Sequence, residues 1–178
     1  MATIRPFRDY DEHEVINLFA FDGDLGNKGT FVTAVGNGFD LSKEAAFGND
    51  SFIDGTVSAR FNVASKVTAA PSGTVPAKVL GMMLKDVRSV DENGYPLKFE
   101  PRKAAERDVI ISGEAVPVVK RGLFLYSGVV GTPAFGSGLA ISDAGNGELK
   151  VTNDPTLMVA KALGPKDSNN FVLIDIKL

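Results

Sequence analysis

A chain of 178 residues has the length of one domain, able to bury roughly 70% of the surface its unfolded form exposes. Its 19 Lys and Arg against 22 Asp and Glu leave a net charge of −3 without a block of one sign. That balance argues against a general nucleic-acid binder, whose affinity comes from basic groups on phosphates. The absence of cysteine excludes disulfide frameworks and thiolate metal sites.

No stretch approaches the ~18 apolar residues of a membrane helix, and the charged N-terminus lacks the apolar segment of a signal peptide. The expectation is a soluble chain with no membrane partner. The 19 glycines and 9 prolines, spread along the chain, predict many turns and short strands.

Residues 1–13 read as an extended, charged arm in which Pro6 fixes φ and Phe7 and Tyr10 are the large rings. Those rings either tuck onto their own domain or dock on a neighbour. Residues 14–178 read as one β domain. Glu14 to Phe21 is a strand apolar on both faces, and a glycine-rich turn over 22–29 leads to a second strand, Thr30 to Val35, as a hairpin. Residues 36–56 are irregular, with a short helix over Leu41 to Phe47 and Phe39, Phe47 and Phe52 pinning the loop.

Val57 to Val67 alternates cleanly, as a half-wet strand of an antiparallel sheet should. Ala77 to Val90 reads as a long strand kinked or bulged at Gly81, followed by a turn at Asn93-Gly94. Pro101 opens a short helix within Glu100 to Arg107. Val109 to Lys120 and Leu123 to Tyr126 are strands joined at Arg121-Gly122. Leu139 to Asp143 and Leu149 to Thr152 are joined through Asn146-Gly147 as a hairpin.

The last thirty residues read strand, turn, strand, turn, strand. In the final strand Val172, Ile174, Ile176 and Leu178 share one face, so this segment should be a central stave of the fold. The sum is about nine strands with at most two short helices, too short for parallel crossovers. The predicted fold is all-β: a single antiparallel barrel or sandwich with an extended N-terminal arm.

Catalytic and metal motifs are incomplete. His13-Glu14 begins like a zinc-protease helix, but Asn17 stands where the second histidine belongs, and the chain has one histidine. Asp22-Gly23-Asp24 begins like a calcium loop, but Asn27 and Thr33 replace the required glycine and glutamate. Asp91/Glu92 are neighbours in a turn whose side chains should point apart, which does not make a hydrolytic pair. Asn49-Asp50-Ser51 matches a glycosylation acceptor without a secretory signal to use it. The expectation is no enzyme, no cofactor and no metal. Arg102, Lys103 and Arg107 form the one local basic cluster, offset by Glu100, Glu106 and Asp108, and read as a solvated helix rimming a subunit contact.

Over residues 77–178 an order of phrases stands out. A strand with an embedded glycine, Val79-Leu80-Gly81-Met82-Met83-Leu84-Lys85-Asp86, precedes Ile111-Ser112-Gly113-Glu114-Ala115-Val116-Pro117-Val118. Then come Lys120-Arg121-Gly122-Leu123-Phe124-Leu125-Tyr126, the hairpin at 145–147, Val159 to Gly164, and Phe171 to Leu178. This order resembles the small all-β capsid decoration, or cement, proteins of tailed bacteriophages.

The resemblance implies a virion structural protein on the capsid exterior, made in the host cytoplasm and cross-linking neighbouring shell subunits. Its partners would be the major capsid protein and copies of itself in a homotrimer, with no nucleic acid. Many modest contacts would add through effective concentration. Residues 1–56 lie outside the resemblance. For them, Ile4, Pro6, Phe7 and Tyr10 are the expected shell-contact residues of a clamp, removable without unfolding the β domain. The rival readings are another particle component, such as a baseplate, neck or fibre protein binding glycan or receptor, and a hydrolase with an unrecognised acid pair.

Overall fold

The computed structural model describes residues 3–7, 11–40, 63, 65–144 and 146–178. The expected helix over 41–47, the ring contacts of Phe47 and Phe52, the Asn49 acceptor, most of the 57–67 strand and Tyr10 lie outside them.

Among the described residues the protein is all-β, with strands distributed over three sheets. The seven-stranded sheet holds β1 (Ile4–Pro6), β11 (Arg121–Tyr126), β16 (Val172–Lys177), β15 (Ala160–Ala162), β13 (Gly138–Ile141), β14 (Leu149–Thr152) and β12 (Val129–Val130), in that spatial order. The six-stranded sheet runs β2 (Val15–Ile16), β10 (Val118–Val119), β7 (Val79–Met83), β5 (Phe31–Ala34), β6 (Lys66–Ala69) and β3 (Ala20–Phe21). The three-stranded sheet is β4 (Leu25–Gly26), β8 (Asp86–Arg88) and β9 (Val109–Ile111).

The six-stranded sheet is the middle layer. Phe31, Met82 and Val119 turn one way, into a core shared with Phe124, Tyr126, Leu139, Ile174 and Ile176 of the seven-stranded sheet. Their sequence neighbours Val32, Met83 and Val118 turn the other way, into a second core with Val87 and Phe19. All six of these middle-sheet residues are fully buried. A sheet covered on both sides needs apolar runs and not alternation, which is what Phe31-Val32, Met82-Met83 and Val118-Val119 supply. Each such side chain contributes ~1.5–3 kcal/mol of burial.

The C-terminal strand is central, as its alternation predicts. β16 pairs antiparallel with β11 on one side and β15 on the other. Its Val172, Ile174 and Ile176 are buried. The Asn146-Gly147 turn likewise joins β13 and β14 in an antiparallel pair. Gly81 sits at an irregularity: Val32 faces Gly81 and Thr33 faces Val79, so one residue is bulged out. At φ 153, a Cβ there would stand 2.3 Å from the Val119 carbonyl oxygen, so only glycine lets β7 and β10 lie this close.

Four expectations are corrected. The 14–35 hairpin does not form: β3 pairs parallel with β6, while β5 pairs with β6 and β7. The 77–90 strand divides into β7 and β8, because the chain leaves the middle sheet for the three-stranded one. Arg121-Gly122 is not a junction but the start of β11; the chain crosses between sheets at Lys120. The sheets are also not purely antiparallel, since β3/β6, β8/β9 and β12/β14 are parallel pairs. The β8–β9 crossover contains α1 (Pro101–Glu106), so two helical turns suffice for a connection thought to need more.

The first part of the N-terminal segment lies against its own domain. Residues Ile4–Pro6 form the edge strand β1 against β11. Phe7 N–H donates to the Leu123 carbonyl (3.0 Å) and Ser127 N–H to the Thr3 carbonyl (3.0 Å). Residues 3, 5 and 7 therefore face β11 with their backbone groups, and those of Ile4 and Pro6 point to the open edge.

Candidate functional site

Among the described residues, the crossover between β8 and β9 brings together exposed rings and a set of paired charges. Its first turn is built on Asp91, whose Oδ1 accepts the N–H groups of Asn93 and Tyr95, both at 2.8 Å. The Asp91 N–H donates to the Tyr95 carbonyl (2.9 Å) and the Gly94 N–H to the Asp91 carbonyl (3.2 Å). Aspartate favours such turns because its short side chain can mimic a backbone acceptor. Gly94 takes φ 82, the left-handed position that Asn93-Gly94 foretells.

The other carboxylate oxygen of Asp91 receives the Lys103 ammonium from α1. Lys103 also reaches Glu92 at 3.5 Å, and Arg107 pairs with the same glutamate. The Asp91 side chain is only 1% exposed. Its hydrogen bond from Lys103, opposed by burial and assisted by the Tyr95 and Asn93 N–H groups, brings its carboxyl down to about 2. The same bond raises Lys103 above the ordinary lysine value. Leu97 and Ala104 anchor the excursion from below, both buried.

What this clip holds outward is apolar. Tyr95 is 64% exposed and Phe99 66%, with Val90 also exposed beside them. Lys98 lies 5.0 Å from the centre of the Phe99 ring. Rings held on a fixed turn lose little entropy on contact, and Tyr, Phe and Arg are enriched where proteins meet.

The basic cluster expected to rim a contact is thus mostly committed within the chain. Lys103 and Arg107 serve Asp91 and Glu92, and only Arg102, paired with Glu106 at 3.0 Å, stays outside the clip. Asp108, read as an offset to this cluster, instead pairs with Lys85 at 2.8 Å. Asp91 and Glu92, expected to point apart, instead both reach the Lys103 ammonium. Sequence reasoning missed Tyr95 and Phe99, although their position beside an Asx turn and a Pro-started helix was available.

The arm residues separate. Ile4 packs into the main core, and what little of its surface is left lines the open groove beside the sheet edge. Pro6 lies at the sheet edge, and Phe7 is 54% exposed. Beside this edge is an open groove of about 340 Å³ lined by apolar groups, among them Pro6, Val15, Leu84 and Pro117, with Lys28 and the Lys85–Asp108 pair at its polar side.

Elsewhere, Ser72, Asp143 and Lys150 meet at the surface. The Ser72 hydroxyl donates to Asp143, and Lys150 salt-bridges the same carboxylate at 2.6 Å. The trio ties the 71–74 turn to the β13–β14 hairpin. Asp22 pairs with Lys66 at 3.1 Å and Asp24 accepts from the Ser112 hydroxyl, so the two acids of the calcium-like turn are drawn apart. Among the described residues no group of three or more His, Asp or Glu converges as a metal site.

No model of a known protein family matches the sequence, and no curated protein matches it.

Proposed function

We propose that the protein is a structural component of a tailed-phage particle that decorates the head and holds neighbouring shell subunits together. Two things support the reading. The order of phrases from 77 to 178 resembles that of decoration proteins, and those phrases occupy all three sheets of one layered β body. The observation that carries it is the clipped crossover: Tyr95 stands about two-thirds exposed on a turn fixed by a buried carboxylate, and Phe99 equally exposed on the short 3-10 helix that follows. Such a surface suits adhesion to a preformed lattice better than turnover of a small molecule. Binding the assembled shell and not its free subunit would stabilise the assembly by mass action.

The test is co-sedimentation of the purified protein with emptied heads of the phage that encodes it. Wild type should travel with the heads and not with unassembled shell subunit. Tyr95→Ala/Phe99→Ala should remain folded by circular dichroism and lose most of the binding. Failure of wild type to associate with heads would end the proposal.

A further inference from the structure

We propose that Asn146 is a site of spontaneous covalent modification, at which the folded chain converts its own asparagine amide into an aspartyl or isoaspartyl carboxylate. When glycine follows asparagine, the next peptide nitrogen can reach the side-chain amide carbon, because no Cβ bars the way. The chain has three such pairs, Asn37-Gly38, Asn93-Gly94 and Asn146-Gly147. All three asparagines are exposed, so access does not separate them. Hydrogen bonding does. Cyclisation needs a nitrogen free to shed its proton and a carbonyl oxygen whose developing negative charge meets a donor. The Gly94 N–H is committed to the Asp91 carbonyl (3.2 Å) and the Gly38 N–H to the Val35 carbonyl (3.3 Å). Among the described residues, neither the Asn93 nor the Asn37 side-chain oxygen receives a hydrogen bond.

At Asn146 both conditions are met. Its Oδ1 accepts the Glu148 N–H (3.2 Å), a bond that spans Gly147 and folds the amide back over the peptide between them. Among the described residues the Gly147 N–H has no acceptor; the residue is held instead by its carbonyl, which accepts the Phe31 N–H at 2.9 Å. The step balances with water alone. The Gly147 nitrogen gives its proton to solvent and bonds to Asn146 Cγ; the bond from Cγ to the side-chain nitrogen breaks, and that nitrogen takes a proton and leaves as ammonia. Water then opens the cyclic imide at either carbonyl, giving aspartate or, with the backbone rerouted through the side chain, isoaspartate. Either product adds a carboxylate to a segment, 142–150, that already sets Asp143 and Glu148 against Lys150 alone. The iso form also lengthens the main chain by one carbon, where a Cβ on Gly147 would stand 2.5 Å from the Phe31 carbonyl oxygen. With no room for that carbon, the hairpin should loosen from β5.

This modification is independent of the particle role and can fail alone. The experiment is prolonged warm incubation of the full chain in neutral and in mildly alkaline buffer, folded and in concentrated urea. Peptide mapping by mass spectrometry follows each asparagine, and labelling with an isoaspartyl methyltransferase reports the iso product. In the folded chain Asn146 should convert at least about tenfold faster than Asn93 or Asn37, and faster still in alkali. In urea the three rates should come together, because the dipeptide is the same and its hydrogen bonds are gone. Asn146→Gln, whose extra methylene disfavours the ring, should abolish conversion at that position. Folded protein in which Asn93 or Asn37 converts first, or in which Asn146 is no faster than they are, overturns the proposal. So does a lead of the same size in urea, which would owe nothing to the fold.

Discussion

Tyr126 is fully buried, with its ring edge-on to Phe31 at 6.3 Å. Its hydroxyl is the one buried side-chain polar atom among the described residues without a hydrogen-bond partner. Burial, with the Glu148 carboxylate adding to it, pushes the phenol well above its ordinary range. An orphaned buried hydroxyl costs about 1–3 kcal/mol. Tyr126→Phe should therefore leave stability unchanged or raise it by about 1 kcal/mol in urea unfolding. A loss of that size would reveal a bound water as the missing partner.

Beside that ring, Gly29 has φ 83, and a Cβ on it would lie 2.7 Å from Ile4 Cγ2. Ile4→Ala should cost about 2–4 kcal/mol, and Gly29→Ala about 1–3 kcal/mol. The two should not add, because removing the Ile4 methyl groups relieves the clash; a double-mutant cycle reads the coupling.

At the level of the element, the crossover behaves as a charge-locked turn. Asp91 has a depressed pKa, so its contribution to stability is complete above the ordinary carboxylate value and lost as the pH falls through about 2. Lys103 is raised, so its contribution is complete below the ordinary lysine value and lost only above it, in strong alkali. The clip should thus hold across the whole neutral range. Amide exchange at Asn93 and Tyr95 should stay slow from weak acid to weak alkali. Asp91→Asn should speed it and lower the unfolding midpoint.

This element also shows what a sequence conceals. The helix start at Pro101 and the Asn93-Gly94 turn are local chemistry and were readable. The burial of Asp91 was not, because it depends on Lys103 arriving from the other side of the crossover. The same division explains the failed 14–35 hairpin: apolar residues on both faces mark a covered strand but not its partner, and β3 finds β6 more than forty residues away. Conversely, β16 alternates because one side is core, so its place was legible without its neighbours.

For the molecule as a whole, removal of residues 1–6 no longer isolates a clamp. It strips Ile4 from the main core and the edge strand from β11. Truncation should lower stability by at least the Ile4 contribution, about 2–4 kcal/mol, measured by urea unfolding. Phe7→Ser is the cleaner probe of the arm, since Phe7 is exposed. Gly81→Ala, in the middle layer, should cost about 3 kcal/mol or more, because neither neighbouring sheet leaves β7 room to retreat.

One consequence follows from Pro6. The β1 margin of the seven-stranded sheet is short, and its outward positions offer the amide hydrogen of Ile4 but none at Pro6. A passing strand would find too few donors to zip on. Copies brought to high local density would thereby lie side by side without seeding fibres.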